Sequence, residues 1–175
     1  MIEVPLTKGK VSLVDDIDSD LSNVNWYYQT SQCHKLGYAQ RTARRRHVWM
    51  HRVILERILS RELLSSETVD HINCNSLDNR RSNLRLADQY QQKANTPKQS
   101  SSNGLPTYSR YKGVTWYRHI SKWAARIQCH NVERHLGVFS SEFDAAKAYD
   151  RAARECFGEF AKLNFPDNLV TTGKL

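Results

Sequence analysis

Apolar and polar positions alternate along "KVSLV" (Lys10–Val14) and then give way to the acidic run "DDIDSD". Alternation with a period of two marks a strand with one buried face, and the carboxylates behind it predict a turn. The stretch "VNWYYQTSQCHKLGYAQRT" carries aromatic and β-branched residues in two pieces broken at Gly37, which predicts two more strands. From Trp49 the apolar spacing lengthens, and Val53, Ile54, Arg57 and Ile58 fit a helix over about residues 50–60. Residues 1–50 are therefore expected to form a small antiparallel meander. Next come a β-like "TVDHI", a loop "NCNSLDNRRSN", an alternating "LRLA", and "DQYQQKAN", with Asp88 as N-cap of a short helix.

The segment "TPKQSSSNGLPTYS" (Thr96–Ser109) is poor in apolar residues and rich in Ser, Pro and Gly, so it is expected to be a linker. Beyond it, "YKGVTWYR", "KWAARIQC" and "ERHLGVF" predict three short strands with turns near His119–Ser121 and Asn131. "SSEFDAAKAYDRAARECFG" predicts an amphipathic helix. Phe143, Ala146, Tyr149, Ala152, Ala153 and Cys156 share one stripe, Ser141 with Asp144 resembles a capping box, and Gly158 closes the end. Two modules on a tether are the expected organisation.

Composition adds a direction. The 175 residues hold 26 Lys and Arg against 18 Asp and Glu, a formal charge of +8, with a pI near 9.5. An excess of cations suits a polyanionic partner. Cys33, Cys74, Cys129 and Cys156 stand far apart without a CxxC pair and are expected to be free thiols in a reducing cytoplasm. No apolar run is long enough to span a bilayer, and "MIEVPLTKGK" lacks a signal-peptide apolar region. A soluble protein of the cytoplasm, of a bacterium or a phage-infected host cell, is the expectation.

The chemistry concentrates in "VDHINCNSLDNRRSNLRLADQ" (Val69–Gln89). A carboxylate beside a neutral imidazole suits activation of water next to a bound cation, the acid supplying a hard oxygen and the His taking the proton. Neighbours on a strand point to opposite faces, so Asp70 and His71 serve one site only if the backbone bends there. Gln92 and Asn95 lie one helical turn apart and offer further amide oxygens. "RTARRRH" (Arg41–His47) suits phosphate clamping through Arg44, Arg45 and Arg46, against the plainer reading of a solvated basic turn. His47 with His51 on a helix, or His71 with Cys74, would begin a zinc site, but neither pair has the remaining ligands.

"VDHINCNSLDNRRSNLRLA" resembles the core of HNH endonucleases, in the branch found in phage and intron-encoded homing enzymes. The leader "PLTKGKVSLVDD" and "MHRVIL" resemble the region that often precedes that core. The resemblance implies a ββα-metal fold, hydrolysis of a DNA phosphodiester bond and one divalent metal ion, Mg2+ with Mn2+ as the alternative. It places Asp70 at the metal-binding acid, His71 at the general base, and Asn83 at the middle Asn that holds the loop and so orients the His. Relatives place a metal-binding His or Asn on the helix nine residues after the equivalent of Asn83. This chain has Gln92 there, and Asn95 is the next candidate. Arg80, Arg81 and Arg85 are expected to contact DNA.

From Tyr111 to Pro166, "YKGV", "KWAARI", "LGVF", "EFDAAKAYDRAA" and "KLNFP" resemble the apetala/ethylene-response-factor DNA-binding domain of plant regulators. That family lays a three-stranded sheet in the major groove. Alternation in "KWAARIQ" independently puts Trp123, Ala125 and Ile127 toward the helix and Ala124, Arg126 and Gln128 toward a groove. Arg126 and Gln128 can bond base edges bidentately. The resemblance adds Lys112, Thr115, Tyr117, Glu133 and His135, and Arg118 and Arg134 are this chain's own candidates for phosphate contacts in place of the family's arginines. Thr115, Tyr117 and Gln128 stand where plant relatives have Arg, and His135 where they have Trp, so plant target preference does not transfer.

The expected fold is α+β: a small N-terminal antiparallel β region and an HNH core over residues 1–95, a linker over 96–109, a three-stranded antiparallel sheet packed on one helix over 110–166, and a tail over 167–175. The expected activity is site-specific cutting of double-stranded DNA by a monomer, with a dimer as the alternative. The competing reading is a sequence-specific DNA-binding regulator whose first module no longer cuts.

Overall fold

The computed structural model describes residues 1–30, 37–98, 101–102, 105–106 and 108–166. Cys33, parts of the expected linker (99–100, 103–104 and 107) and the tail 167–175 lie outside the described residues. The chain divides into two compact units, residues 1–92 and 93–175. The architecture is mixed α+β, with several small antiparallel sheets.

In the first unit β1 (Ile2–Pro5) pairs with β2 (Val11–Val14), and a separate sheet holds β3 (Tyr27–Thr30), β4 (Gly37–Ala43) and β5 (Arg46–Trp49) in that order. The expected single meander is thus two sheets. The residues between β2 and β3 coil into a 3-10 stretch, Asp16–Asn23. β4 and β5 meet at a tight turn where Arg44 and Arg45 both take positive φ, the backbone a two-residue hairpin requires.

Gly37 opens β4 rather than breaking it. A Cβ there would run into the ring of Tyr28, so only glycine lets that ring lie flat on the strand. α1 (Met50–Leu59) follows, then β6 (Thr68–His71), which pairs with β7 (Leu84–Ala87), and α2 (Gln89–Ala94). Asp88 caps α2 by accepting from the amides of Tyr90 and Gln91, both at 2.8 Å.

One apolar core joins these pieces. Val4, Val14, Trp26, Ala39, Met50, Ile54, Val69 and Leu84 are buried in it. Beside it Asp18 is wholly buried and receives Arg57 at 2.9 Å and Arg81 at 2.7 Å. Burial alone would raise its carboxyl, yet the hydrogen bonds from Arg81 and Arg57 hold it below the usual range. The acidic run thus anchors a helix and the loop ahead of β7 from the inside.

In the second unit two residue pairs form a short ladder, β8 (Ser101–Ser102) with β9 (Leu105–Pro106). The main sheet holds β10 (Val114–Tyr117), β11 (Lys122–Cys129) and β12 (Val132–Phe139) and packs on α3 (Glu142–Phe157). Ser141 caps α3 by accepting from the Asp144 amide. Ala145, Ala146, Ala148, Ala152 and Ala153 are buried under the sheet. Small side chains let helix and sheet approach closely.

Phe143 is 45% exposed and sits at the edge against Phe165, outside the stripe expected for it. Asp150 is buried and accepts from the backbone amides of Asn164 and Phe165, both at 2.8 Å, which ties the chain end to the helix. Gly113 has φ +75, and a Cβ there would collide with the ring of Tyr149.

Candidate active site and nucleic-acid faces

His71 ends β6 and is only 7% exposed. Its Nε2 lies 3.1 Å from Oδ1 of Asn79. The other side of that amide is fixed: Nδ2 of Asn79 donates to Oγ of Ser12 at 2.7 Å, and the Ser12 hydroxyl donates to the carbonyl of Leu77. With the amide oriented this way, Oδ1 accepts from His71, so Nε2 carries the ring proton and Nδ1 is the basic nitrogen. Burial lowers the imidazole's proton affinity, and Asn79, Asp70 and Asp78 pull against it without reversing the sign. The ring is therefore uncharged at neutral pH.

Asn83 works on the loop. Its Oδ1 accepts from the amide of Asn73 at 2.9 Å, and its Nδ2 donates to the carbonyl of Asp78 at 2.7 Å. Asn79, which bonds the His71 ring, is fully buried. Sequence reasoning missed it, because its partner Ser12 is 67 positions away and nothing local connects them. The signal that could have found it is the apolar hairpin "VSLV" carrying one Ser in a row of buried residues.

Asp70 is buried and pairs across the ladder with Arg85, whose Nε reaches Oδ2 at 2.9 Å. The Asp70 charge and burial together raise the Tyr38 hydroxyl, burial being the larger cause. The Tyr38 ring lies 6.2 Å from that of His71 and 5.4 Å from that of His51, so one tyrosine borders acid and base together. His51 and His71 meet edge to face at 5.5 Å. His51 is pushed down to about 3 by burial first, then by His71 and Arg52. Its Nδ1 is buried with no hydrogen-bond partner.

Beside these rings opens a cleft of about 840 Å3 whose walls include Tyr38, Trp49, His51, Thr68 and Gln92. Gln92 is exposed there, whereas Asn95 is buried and belongs to the second unit. His47 is on β5, not on a helix with His51, and Gln40 bonds its Nδ1. Among the described residues no three His, Cys, Asp or Glu side chains cluster to hold an ion by themselves. Of the expected ligands, Asp70 is engaged by Arg85 and Gln92 stands on the cleft wall; a carboxylate and an amide oxygen are donor types that a hard cation takes.

The loop cations expected to contact DNA are engaged by carboxylates of the same unit. Arg80 pairs with Asp78 at 2.7 Å, Arg81 with Asp18, and Arg85 with Asp70. Each therefore holds the site's frame in the free protein. Arg44, Arg45 and Arg46 are exposed at the β4–β5 hairpin tip.

On the second unit a register shift between Ala125 and Arg126 reassigns part of the sheet. Thr115 pairs with Ala124 on the outer face, and beyond the shift Arg126 pairs with His135 and Gln128 with Glu133. Arg126 donates to Glu133 at 3.1 Å and lies over the Tyr117 ring. One position departs from expectation. Ala124 is fully buried. Arg134 pairs with Ile127 and so lies on the helix side, donating to Sγ of Cys156 at 3.7 Å. Lys112 donates to the carbonyls of Ala94 and Thr96 at 2.6 and 2.7 Å. Arg118 stacks on Tyr108. No helix of the described residues is long and apolar enough to cross a membrane.

No protein-family model and no solved structure matches the chain. An uncharacterized HNH endonuclease of Acanthamoeba polyphaga mimivirus is 38% identical over 117 residues, 66% of this chain and 56% of that protein. A putative dehydration-responsive element-binding protein of Arabidopsis thaliana is 38% identical over 66 residues, 37% of this chain and 40% of that one. An APETALA2-like protein of Oryza sativa subsp. indica is 42% identical over 57 residues, 33% of this chain and 13% of that one. The chain spans little more than half the length of the viral relative and less of the plant ones. It is thus similar in sequence both to an HNH endonuclease and to AP2-type DNA-binding proteins.

Proposed function

We propose that the protein is a site-specific DNA endonuclease of the HNH type, of the homing kind, whose first unit is a ββα-metal hydrolase and whose second unit reads duplex DNA. The observation that carries this reading is the buried, uncharged His71, its tautomer set by Asn79, beside the Asp70 carboxylate. A divalent ion, Mg2+ or Mn2+, would be held by Asp70 with Gln92 and would neutralise charge developing on the scissile phosphate.

His71 takes a proton from the attacking water at Nδ1, because Nε2 is already protonated toward Asn79. The resulting imidazolium is stabilised by Asp70 and Asp78, which both favour its charged form. Asn83 keeps the loop from collapsing over the ring through its bonds to Asn73 and Asp78. In the second unit Thr115, Tyr117, Arg126, Gln128 and His135 form the face that enters the major groove. Arg44, Arg45 and Arg46 neutralise phosphates near the cut.

One observation favours a second reading, a DNA-binding regulator that does not cut: Asp70 already has a guanidinium partner, and Gln92 is a longer ligand than relatives use. Purified protein incubated with supercoiled plasmid in Mg2+, in Mn2+ and in EDTA separates the two. Open-circle DNA that forms only with a divalent ion supports the nuclease. Binding without conversion under any ion supports the regulator.

A further inference from the structure

The sheet β3–β4–β5 has two faces of different chemistry. Tyr28, Ala39 and Val48 turn inward to the apolar core. On the other face the register lines up rows across the strands: Tyr27 with Gln40 and Trp49, Gln29 with Tyr38, and Thr42 with His47. These residues form one wall of the 840 Å3 cleft, and among the described residues no acidic side chain lines it. The volume lies in the range of small-molecule sites, roughly 300–1,000 Å3. Tyr27 is 50% exposed although it is a large aromatic. The wall leads through Tyr38 to the ring of His71, and the same sheet ends in the exposed Arg44–Arg46 tip.

Aromatic rings alternating with amides on an open sheet, flanked by cations, match the needs of one ligand class. Unstacked nucleobases have flat apolar faces and hydrogen-bonding edges, and the strand that carries them is anionic. A paired duplex hides those faces in its own stack and offers none to the half-exposed ring of Tyr27.

We propose that this outer face is a stacking platform for an unpaired DNA strand, with bases against Tyr27 and Trp49, their edges toward Gln29, and phosphates toward Arg44 and Arg45 at the hairpin tip. Delivery of that strand to His71 rests on the hydrolytic reading above; the binding does not.

The test uses the full chain in EDTA, where no hydrolysis occurs. Affinity is measured for two duplexes of equal length and identical flanks, one fully paired and one with a central unpaired bubble, so that duplex contacts of the second unit cancel in the ratio. The wild type should prefer the bubble by about tenfold or more. Tyr27→Ala should reduce that preference at least about fivefold, the low end of the loss when one base loses its aromatic partner, and Tyr27→Phe should retain it. Equal affinity for both duplexes in the wild type overturns the platform, and so does a preference that survives Tyr27→Ala. Plasmid nicking in Mg2+ is read separately. Preference without nicking leaves the platform and sinks the hydrolase, whereas nicking without preference does the reverse.

Discussion

In the first unit the groups around His71 are held by buried polar residues reaching across the chain, Ser12 to Asn79, Asp18 to Arg57 and Arg81, Asp70 to Arg85. In the second unit the three-stranded sheet is held by alanines of α3 packed against β11, with Asp150 as the one buried carboxylate among the described residues of that unit. The difference teaches what each surface needs. A hydrolytic site must fix individual atoms, and hydrogen bonds carry direction as well as distance. A reading face needs a rigid strand spacing, which close helix-to-sheet packing provides without any bond to the contact residues. The polar frame has a cost, because each buried charge depends on a partner that can be removed.

That contrast can be broken at its strongest points. Asp18→Asn leaves Arg57 and Arg81 without their shared carboxylate and should destabilise the chain by about 3 kcal/mol in urea unfolding. The pH sign follows from the same group. Its carboxyl is held below the usual value in the folded chain, so its stabilisation is complete above the unfolded pKa of about 3.9 and is lost as pH falls through the folded value. Acid unfolding of Asp18→Asn should therefore be shallower than that of the wild type.

Asn79→Ala lets the His71 ring turn and change tautomer. Nicking should fall about 100-fold, the cost of misplacing a reacting group by about 1 Å, while DNA affinity holds. A nicking rate within threefold of wild type would separate Asn79 from the reaction. Gly113→Ala should destabilise the second unit by about 2 kcal/mol, because positive φ and the Tyr149 ring both oppose a Cβ. Retention of the wild-type melting temperature would contradict that. Arg126→Ala should weaken specific DNA binding by about 1–3 kcal/mol and relax preference at one base pair, read by binding to a panel of single-base variants of the site.

The two units also differ in how much of them was legible in sequence. The helix stripe and strand alternation of the second unit are local patterns, and they placed β11, β12 and α3 within a residue or two and β10 within three. What they missed is the register shift at Arg126, which follows from tertiary fit and turned Arg134 toward α3. In the first unit "TVDHI", "LRLA" and the Asp88 cap were equally readable. The split of the first 50 residues into two sheets was not, because alternation says which face is buried and not which strand is the neighbour. Asn79 was invisible for the same reason, since its meaning depends on Ser12 arriving from the far end of the unit. The engagement of Arg80, Arg81 and Arg85 by internal carboxylates likewise needed the fold, as a basic loop looks the same whether its charges face inward or out.

The central claim is that His71 is the base of a phosphodiester hydrolysis, and it is tested most directly by nicking rates of wild type and His71→Ala on the same supercoiled plasmid in Mg2+, with DNA affinity measured in parallel. Loss of a general base typically lowers a rate by about 10²–10⁴-fold, so His71→Ala should bind as the wild type does and cut at least about 100-fold more slowly. Equal cutting by the two proteins would contradict the account.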